Sequence, residues 1–285
     1  MAKARVVNLQ FNDETIHFSD YTHKLLAEGD SWYAWAHLNL LPSSNIPEQL
    51  EFRESTIIVN LAYSGDVMRN ISDSESNSLF YFELQGQRYD AILLSGGGND
   101  LIDALNPAAS ADGQPAIIVP RGRRRVDNAA SYVNATALKA LTDNVIASFQ
   151  HLIAQRDASD ANAATPIVLH TYDYPTPRNA KATFMGQGVV GPWILPALQC
   201  AAVPMNLYQR VTDRVFDALA NALMGNLHQP QNNVTVVDTR NTLTRAKPGT
   251  TELDGDWINE IHPDAHGYAL IGKKMSDTLS ALGIT

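Results

Sequence analysis

The chain has 285 residues, which is enough to bury a large core in one domain or in two small ones. Hydrophobic residues make up 45% of the sequence and charged residues 18%, which excludes a disordered chain and predicts a folded globule. Thirty acidic residues against 21 basic ones give a formal net charge of −9. Such a surface repels a phosphate backbone, so we expect no nucleic-acid partner.

Three features bear on where the protein works. No long apolar stretch follows the charged N-terminus, so no secretory signal is visible, and the single cysteine, Cys200, forms no internal disulfide and is expected to be buried. Both features favour the cytoplasm, although a trimmed secreted form would share them. The uncharged stretch 182–209 is broken by three prolines and three glycines, so no membrane span is expected there.

Five short apolar runs recur along the chain with helical segments between them. They are Leu25–Ala27, Thr56–Leu61, Ala91–Leu94, Ile167–His170 and Val234–Val237. Short runs rich in Val, Ile and Leu that alternate with helices are typical of parallel strands covered on both faces. The pattern therefore predicts an α/β fold, a three-layer α/β/α sandwich around a mainly parallel five-stranded sheet.

Apolar residues at three- and four-residue steps predict two of the helices. The first contains Leu138, Leu141, Val145, Phe149 and Leu152, and the second runs from Leu207 to Leu223 with Gly225 as its C-terminal cap. A last helix is predicted to begin at Pro263. Two segments, 106–128 and 172–204, fit no strand and helix unit, so we interpret the chain as a single domain, 1–285, with two insertions.

Four polar or glycine-rich loops follow in chain order. They are Gly29-Asp30-Ser31-Trp32, Ser64-Gly65-Asp66, Gly96-Gly97-Gly98-Asn99-Asp100 and Asn259-Glu260-Ile261-His262-Pro263. The first three follow predicted strands, and the carboxyl ends of parallel strands converge on one crevice. Taken together, Ser31, Gly65, Asn99 and His262 resemble the four blocks of the SGNH (GDSL-type) ester hydrolases over nearly the whole chain, which implies a flavodoxin-like strand order.

The resemblance implies a serine ester hydrolase that forms an acyl-enzyme on Ser31. Histidine is the side chain best matched to removing the serine proton at neutral pH, so His262 is the expected general base. The family's oxyanion hole maps onto the main-chain N–H groups of Ser31 and Gly65 and the side-chain amide of Asn99. We expect a small-molecule ester substrate and neither a metal nor an organic cofactor, and the sequence leaves the oligomeric state open.

One position departs from the family pattern. The residue three before the histidine is usually an aspartate that orients the ring, and here it is Asn259. Asn259 could orient His262 through its side chain or its main-chain carbonyl. The other possibilities are an acid from Asp254 or Asp256, or one from a strand end, Asp173 or Asp238. A neutral orienter would slow the enzyme without abolishing activity.

The substrate pocket is predicted only from apolar residues near these loops. Its candidates are Trp32, Met185, Val190, Trp193 and Ile194; packing for stability alone is the rival interpretation. His266 is interpreted as a solvated or capping residue, and the basic run Arg121–Arg125 as a solvated loop.

Two rival functions remain open. One is a metal-dependent phosphoesterase that uses Asp30, Asp66, Asn99, Asp100 and His262. The other is a catalytically decayed hydrolase fold that binds an acyl or sugar ligand.

Overall fold

The structure is a computed structural model that describes residues 1–9, 16–34, 44–105, 116–119, 128–184 and 188–285. Most of the predicted 106–128 insertion, the whole Arg121–Arg125 run and Met185 lie outside these residues.

Ten strands lie in the described part of the chain. They are β1 (Ala2–Lys3), β2 (Arg5–Val7), β3 (His23–Glu28), β4 (Glu51–Phe52), β5 (Thr56–Asn60), β6 (Ala91–Leu94), β7 (Ile167–His170), β8 (Ala182–Phe184), β9 (Gly188–Val190) and β10 (Val234–Val237). Six of them form one parallel sheet in the order β10-β7-β6-β3-β5-β2. The remaining four form two antiparallel pairs, β1 with β4 and β8 with β9.

The central strands are buried at every position, which explains their sequences. Every residue of β5, β6 and β7 is at most 5% exposed, and a strand covered on both faces needs a continuous apolar run rather than an alternating one. All five predicted strands are present, and they lie in the flavodoxin-like order 2-1-3-4-5. The predicted count of five was wrong by one, because β2 carries only two apolar residues and gains its place by pairing with β5.

Nine helices occur among the described residues. They are α1 (Ser31–Ala34), α2 (Ile46–Gln49), α3 (Met68–Ser72), α4 (Ser78–Gly86), α5 (Gly98–Leu105), α6 (Ala135–Asp157), α7 (Leu195–Cys200), α8 (Tyr208–Leu227) and α9 (Ala265–Ala281). Helix α6 packs on α3, α5 and α8, whereas α9 packs on α2 and on the strands β7 and β10. With both sheet faces buried, these two groups of helices form the outer layers that the sequence predicts.

Three details of the helices differ from the prediction. Gly225 lies inside α8, which continues for two more residues, so it is not the C-terminal cap. Helix α9 begins two residues after Pro263, because the Asp264 carboxylate accepts a hydrogen bond from the Gly267 N–H at 2.7 Å and caps the helix there. Cys200 is exposed at the end of α7 rather than buried.

The described part of the 172–204 insertion contains a short hairpin and a helix. The hairpin is formed by β8 and β9, and α7 follows it. The apolar residues of α7, Ala197 and Leu198, belong to the same hydrophobic cluster as the central strands. The insertion is thus packed on the main core. In the described part of the chain, no helix is both long and apolar enough to cross a membrane.

Candidate active site

The candidate site lies where the strand order of the sheet reverses. Strands β3 and β6 are neighbours, and the chain leaves them toward opposite sides, which opens a crevice at their carboxyl ends. The two loops touch: a Cβ atom on Gly29 would lie 2.5 Å from the Ser95 carbonyl oxygen, a contact that only glycine avoids. The first and third predicted loops therefore meet at this crevice.

Ser31 is the first residue of α1, directly after β3. The Asp30 carbonyl accepts hydrogen bonds from the N–H groups of Tyr33 and Ala34, and the Asp30 carboxylate accepts one from the Trp32 N–H at 3.0 Å. These bonds fix the turn between strand and helix.

His262 reaches Ser31 from the far end of the chain. Its Nε2 atom lies 2.8 Å from the Ser31 Oγ, although 231 residues separate the two. The Trp32 indole N–H donates to the Ile261 carbonyl at 3.2 Å, which ties the histidine loop to α1. Ser31 is 7% exposed and His262 is 2% exposed, so the pair is shielded from bulk water.

The Asn259 side chain faces the other nitrogen of the imidazole. The distance between Asn259 Oδ1 and His262 Nδ1 is 3.1 Å, and the same oxygen accepts hydrogen bonds from the N–H groups of Ile261 and His262. A carbonyl oxygen only accepts, so it selects the tautomer in which Nδ1 carries the proton. That tautomer leaves Nε2 as the acceptor for the Ser31 hydroxyl, which is what a general base requires.

The four aspartates considered as alternatives to Asn259 are engaged elsewhere. Asp173 accepts hydrogen bonds from the N–H groups of residues 174 and 241–243. Asp238 accepts hydrogen bonds from Arg240 and Thr171. Asp254 accepts one from the Lys247 N–H, and Asp256 contacts the Thr244 N–H and the His266 ring. The geometry thus favours the first of the alternatives that the sequence left open.

Burial dominates the electrostatics of the histidine. Desolvation of the imidazolium lowers the pKa of His262 to about 3. A neutral amide oxygen at Asn259 supplies no charge that would offset this effect. His262 is therefore neutral at physiological pH, as a base must be before it accepts a proton.

The expected oxyanion donors lie around the same crevice. Among the described residues, the N–H groups of Ser31 and Gly65 donate to no other group. Gly65 has a φ of +88° and open space at its Cβ position, so its backbone is accessible to a ligand. The Asn99 amide donates one hydrogen to the Asp66 carbonyl at 2.8 Å, which fixes the amide beside the Gly65 turn.

Asp100 joins the second and third predicted loops. Its carboxylate accepts a hydrogen bond from the Met68 N–H at 2.9 Å, and burial raises its pKa to about 6.

A buried polar network beneath Ser31 was not predicted from the sequence. The Asp30 carboxylate accepts from the Ser95 hydroxyl at 2.8 Å and from the Tyr172 hydroxyl, and His170 Nε2 lies 3.0 Å from the Ser95 oxygen. His170 and Tyr172 sit at the carboxyl end of β7, so the rule that such ends converge could have pointed to them. The Trp32 ring stacks on the His170 ring with centroids 5.6 Å apart.

The predicted pocket residues occupy different environments. Trp32 is 4% exposed and lines a small cavity beside Ser31, and the Trp193 ring packs edge-on against His262 with centroids 5.6 Å apart. Val190 is half-buried at the end of β9. Ile194 is 1% exposed and lies in the hydrophobic core, so its side chain packs for stability there.

Among the described residues, the side chains that the phosphoesterase interpretation requires do not form a cluster of metal ligands. Asp30, Asp66, Asp100 and His262 do not bring their ligand atoms together, and the one group within 4.8 Å consists of Asp256, Asp264 and His266. In that group the Asp256 carboxylate contacts His266 Nδ1 at 2.8 Å and Asp264 caps α9. These contacts match the solvated role predicted for His266.

Comparisons with known proteins find similarity in structure alone. No protein-family model matches the chain, and no curated protein matches its sequence. A lipase from a goat rumen metagenome is 15% identical with a TM-score of 0.56, and the match covers 92% of this chain and 98% of that one. A possible lipase from Chitinophaga pinensis DSM 2588 is 14% identical with a TM-score of 0.50, covering 92% and 100%. The chain therefore shares the α/β fold of these proteins.

His262 should remain neutral from about pH 8 down to about pH 5, because burial lowers its pKa to about 3. ¹⁵N chemical shifts of its ring over this range measure the prediction directly. His266 is the internal control, since the hydrogen bond to the Asp256 carboxylate raises the pKa of His266 above the ordinary range of histidine. Protonation of His262 near the pKa of a solvated histidine would contradict the burial shown here.

Proposed function

We propose that the chain is a serine ester hydrolase of the SGNH type, formed by a single domain. The observation that carries this proposal is the 2.8 Å contact between the Ser31 Oγ and His262 Nε2 at the carboxyl ends of the strands. A serine hydroxyl hydrogen-bonded to a neutral, oriented histidine is the arrangement that activates a nucleophile. The structural likeness to two proteins described as lipases supports an ester as the substrate.

The reaction starts with attack of the Ser31 oxygen on the ester carbonyl while His262 Nε2 takes the hydroxyl proton. The carbonyl oxygen becomes an oxyanion, and the N–H groups of Ser31 and Gly65 with the Asn99 amide are the donors that stabilise it. His262 then protonates the leaving alcohol. A water molecule, deprotonated by the same nitrogen, attacks the acyl group and releases the acid and free Ser31.

The neutral side chain of Asn259 limits how strongly the imidazolium of His262 is stabilised during the reaction. Its oxygen orients the imidazole and selects the tautomer, but it adds no negative charge to stabilise the imidazolium that forms in each step. We infer that the enzyme works with a Ser31 and His262 dyad positioned by an amide.

The acyl group is proposed to occupy the small cavity beside Ser31. Its volume is about 20 Å³, and its apolar wall includes Ile102, Phe216 and Ile261. A space of this size holds roughly one or two water-sized groups, which favours a short acyl chain. A larger groove of about 790 Å³ lies along the insertion, but neither Ser31 nor His262 lines it.

The nucleophile is tested by covalent labelling. A fluorophosphonate should form an adduct on Ser31, and Ser31→Ala should lose both the adduct and nitrophenyl acetate hydrolysis, with a fall in kcat of at least about 10³-fold. Ser276→Ala is the matched control, since Ser276 is also a buried serine, 8% exposed against 7% for Ser31, and does not line the cavity beside Ser31. Undiminished hydrolysis by Ser31→Ala would refute the proposed mechanism, and an ester that binds without turnover would favour the decayed fold.

Asn259→Asp should raise kcat about tenfold and move the acidic limb that His262 sets, at about pH 3 in the unmodified protein, to higher pH. A carboxylate beside Nδ1 favours the imidazolium and raises the pKa of His262. Asn259→Leu, of similar size and without an acceptor, should instead lower kcat by about 10²-fold or more because the tautomer is no longer selected. Equal rates for the three proteins in stopped-flow or steady-state assays would mean that Asn259 does not orient the base.

The rate should depend on the length of the acyl chain. From nitrophenyl acetate to nitrophenyl octanoate, kcat/KM should fall more than about tenfold, because the longer chain does not fit the cavity. Ile102→Ala, which widens the wall, should reduce this discrimination. Ile146→Ala removes an equally buried side chain, 7% exposed against 8%, outside the lining and should leave the ratio unchanged. A preference for octanoate in the unmodified protein would place the acyl group elsewhere.

A further inference from the structure

The loop that carries Asn259 and His262 also contains a fully buried carboxylate, that of Glu260. Glu260 is 0% exposed, and its two oxygens accept hydrogen bonds from four main-chain N–H groups. The donors are Arg178 at 3.1 Å, Trp193, Ile194 at 2.7 Å and Leu195 at 2.8 Å. All four belong to the 172–204 insertion, so Glu260 fastens that insertion to the loop that carries His262.

Further hydrogen bonds join the insertion to the loop that carries His262. The Arg178 guanidinium, 1% exposed, donates to the main-chain carbonyls of Trp257 and Asn259. The Glu260 N–H in turn donates to the Ala180 carbonyl at 3.1 Å. The insertion and the histidine loop are therefore joined by bonds that run both ways across a buried surface.

The carboxylate sets the position of a ring that contacts the base. It accepts the N–H of Trp193, whose indole lies edge-on to His262 with centroids 5.6 Å apart. Displacing this backbone would move the indole and expose the imidazole to water.

We propose that Glu260 is a positioning residue for the hydrolase reaction, whose ionised carboxylate holds the Trp193–Leu195 backbone so that the Trp193 ring covers His262. This inference rests on the proposed function and adds a regulatory group to the same site. Glu260 itself touches neither the substrate nor the reacting atoms.

Only the ionised form satisfies all four donors. An ionised carboxylate is an acceptor alone, whereas a protonated one turns an oxygen into a donor that faces N–H groups. Burial raises the pKa of Glu260 to about 7. The charged and titratable groups near it are Arg178 on the insertion, Asp254 beyond that guanidinium, and the neutral His262 on its own loop; residues 193–195 carry no charge.

The sign of the pH effect follows from these contacts. Above about pH 7 the carboxylate is ionised and the ring is held in place, and below it protonation releases at least one donor. The His262 pKa of about 3 is too low to produce a limb in this range. A fall in kcat on acidification through pH 7 has two sources at this site, Glu260 and Asp100, whose pKa is about 6, and only the part due to Glu260 is removed by Glu260→Gln.

Glu260→Gln is the decisive variant, with Glu252→Gln as the matched control because Glu252 is an exposed glutamate on the same loop. At pH 8, Glu260→Gln should hydrolyse nitrophenyl acetate about ten- to a hundredfold more slowly and should lose the part of the change in kcat through pH 7 that is due to Glu260. Circular dichroism should show a folded protein, and fluorophosphonate should still label Ser31. Glu252→Gln should keep the rate and the profile of the unmodified enzyme.

Two outcomes overturn the inference. One is a folded Glu260→Gln protein whose kcat and pH profile match those of the unmodified enzyme, which would leave Glu260 a purely structural role. The other is an unchanged kcat in Trp193→Ala, which would show that the indole ring does not contribute to the reaction. Trp193→Ala keeps the main-chain donors to Glu260, so it also tests the inference if Glu260→Gln does not fold. Failure of the proposed function is distinct, because it appears as unlabelled Ser31 in the unmodified protein.

Discussion

The hydrogen bond between the Ser31 hydroxyl and His262 Nε2 is the contact on which the candidate site depends. It joins groups 231 residues apart, and no local sequence preference could hold them together against the entropy of the chain between them. The parallel sheet holds them together. Ser31 follows the carboxyl end of β3, and α9 packs against β7 and β10, so the His262 loop that precedes α9 lies at the same edge of the sheet. The hydrophobic core therefore determines the geometry of a polar site.

The floor of the site is itself polar and buried. Asp30 is 2% exposed, and a buried carboxylate is tolerated only where donors replace its water. The Ser95 hydroxyl, the Tyr172 hydroxyl and the Trp32 N–H provide three. Burial nonetheless raises the pKa of Asp30. Because Ser95 directly follows β6, Tyr172 lies two residues after β7 and Trp32 belongs to α1, the network fixes the ends of both strands and the helix against each other under the nucleophile.

The sequence predicted the parts of the structure that local patterns encode. Continuous Val, Ile and Leu runs identified the central strands, and the convergence of the loops at their carboxyl ends agrees with Ser31 and Asn99 lining one cavity. Strand β2 was missed because two valines are too short a run, and its strand conformation comes from pairing with β5. The partners of Glu260 were equally invisible, since residues 178 and 193–195 lie 65 to 82 positions away and their contact exists only in the folded chain.

The histidine loop places a neutral oxygen and a carboxylate at adjacent positions, Asn259 and Glu260. Asn259 offers the imidazole a neutral oxygen, and Glu260 points its charge at the backbone of the insertion instead. Burial raises the pKa of Glu260 to about 7 in the folded chain, above the ordinary glutamate value of about 4.3. The contribution of this group to stability is therefore greatest below about pH 4 and falls as pH rises to about 7. A neutral side chain would avoid that loss. The carboxylate is therefore better explained by the geometry it imposes on Trp193 and His262 than by folding stability.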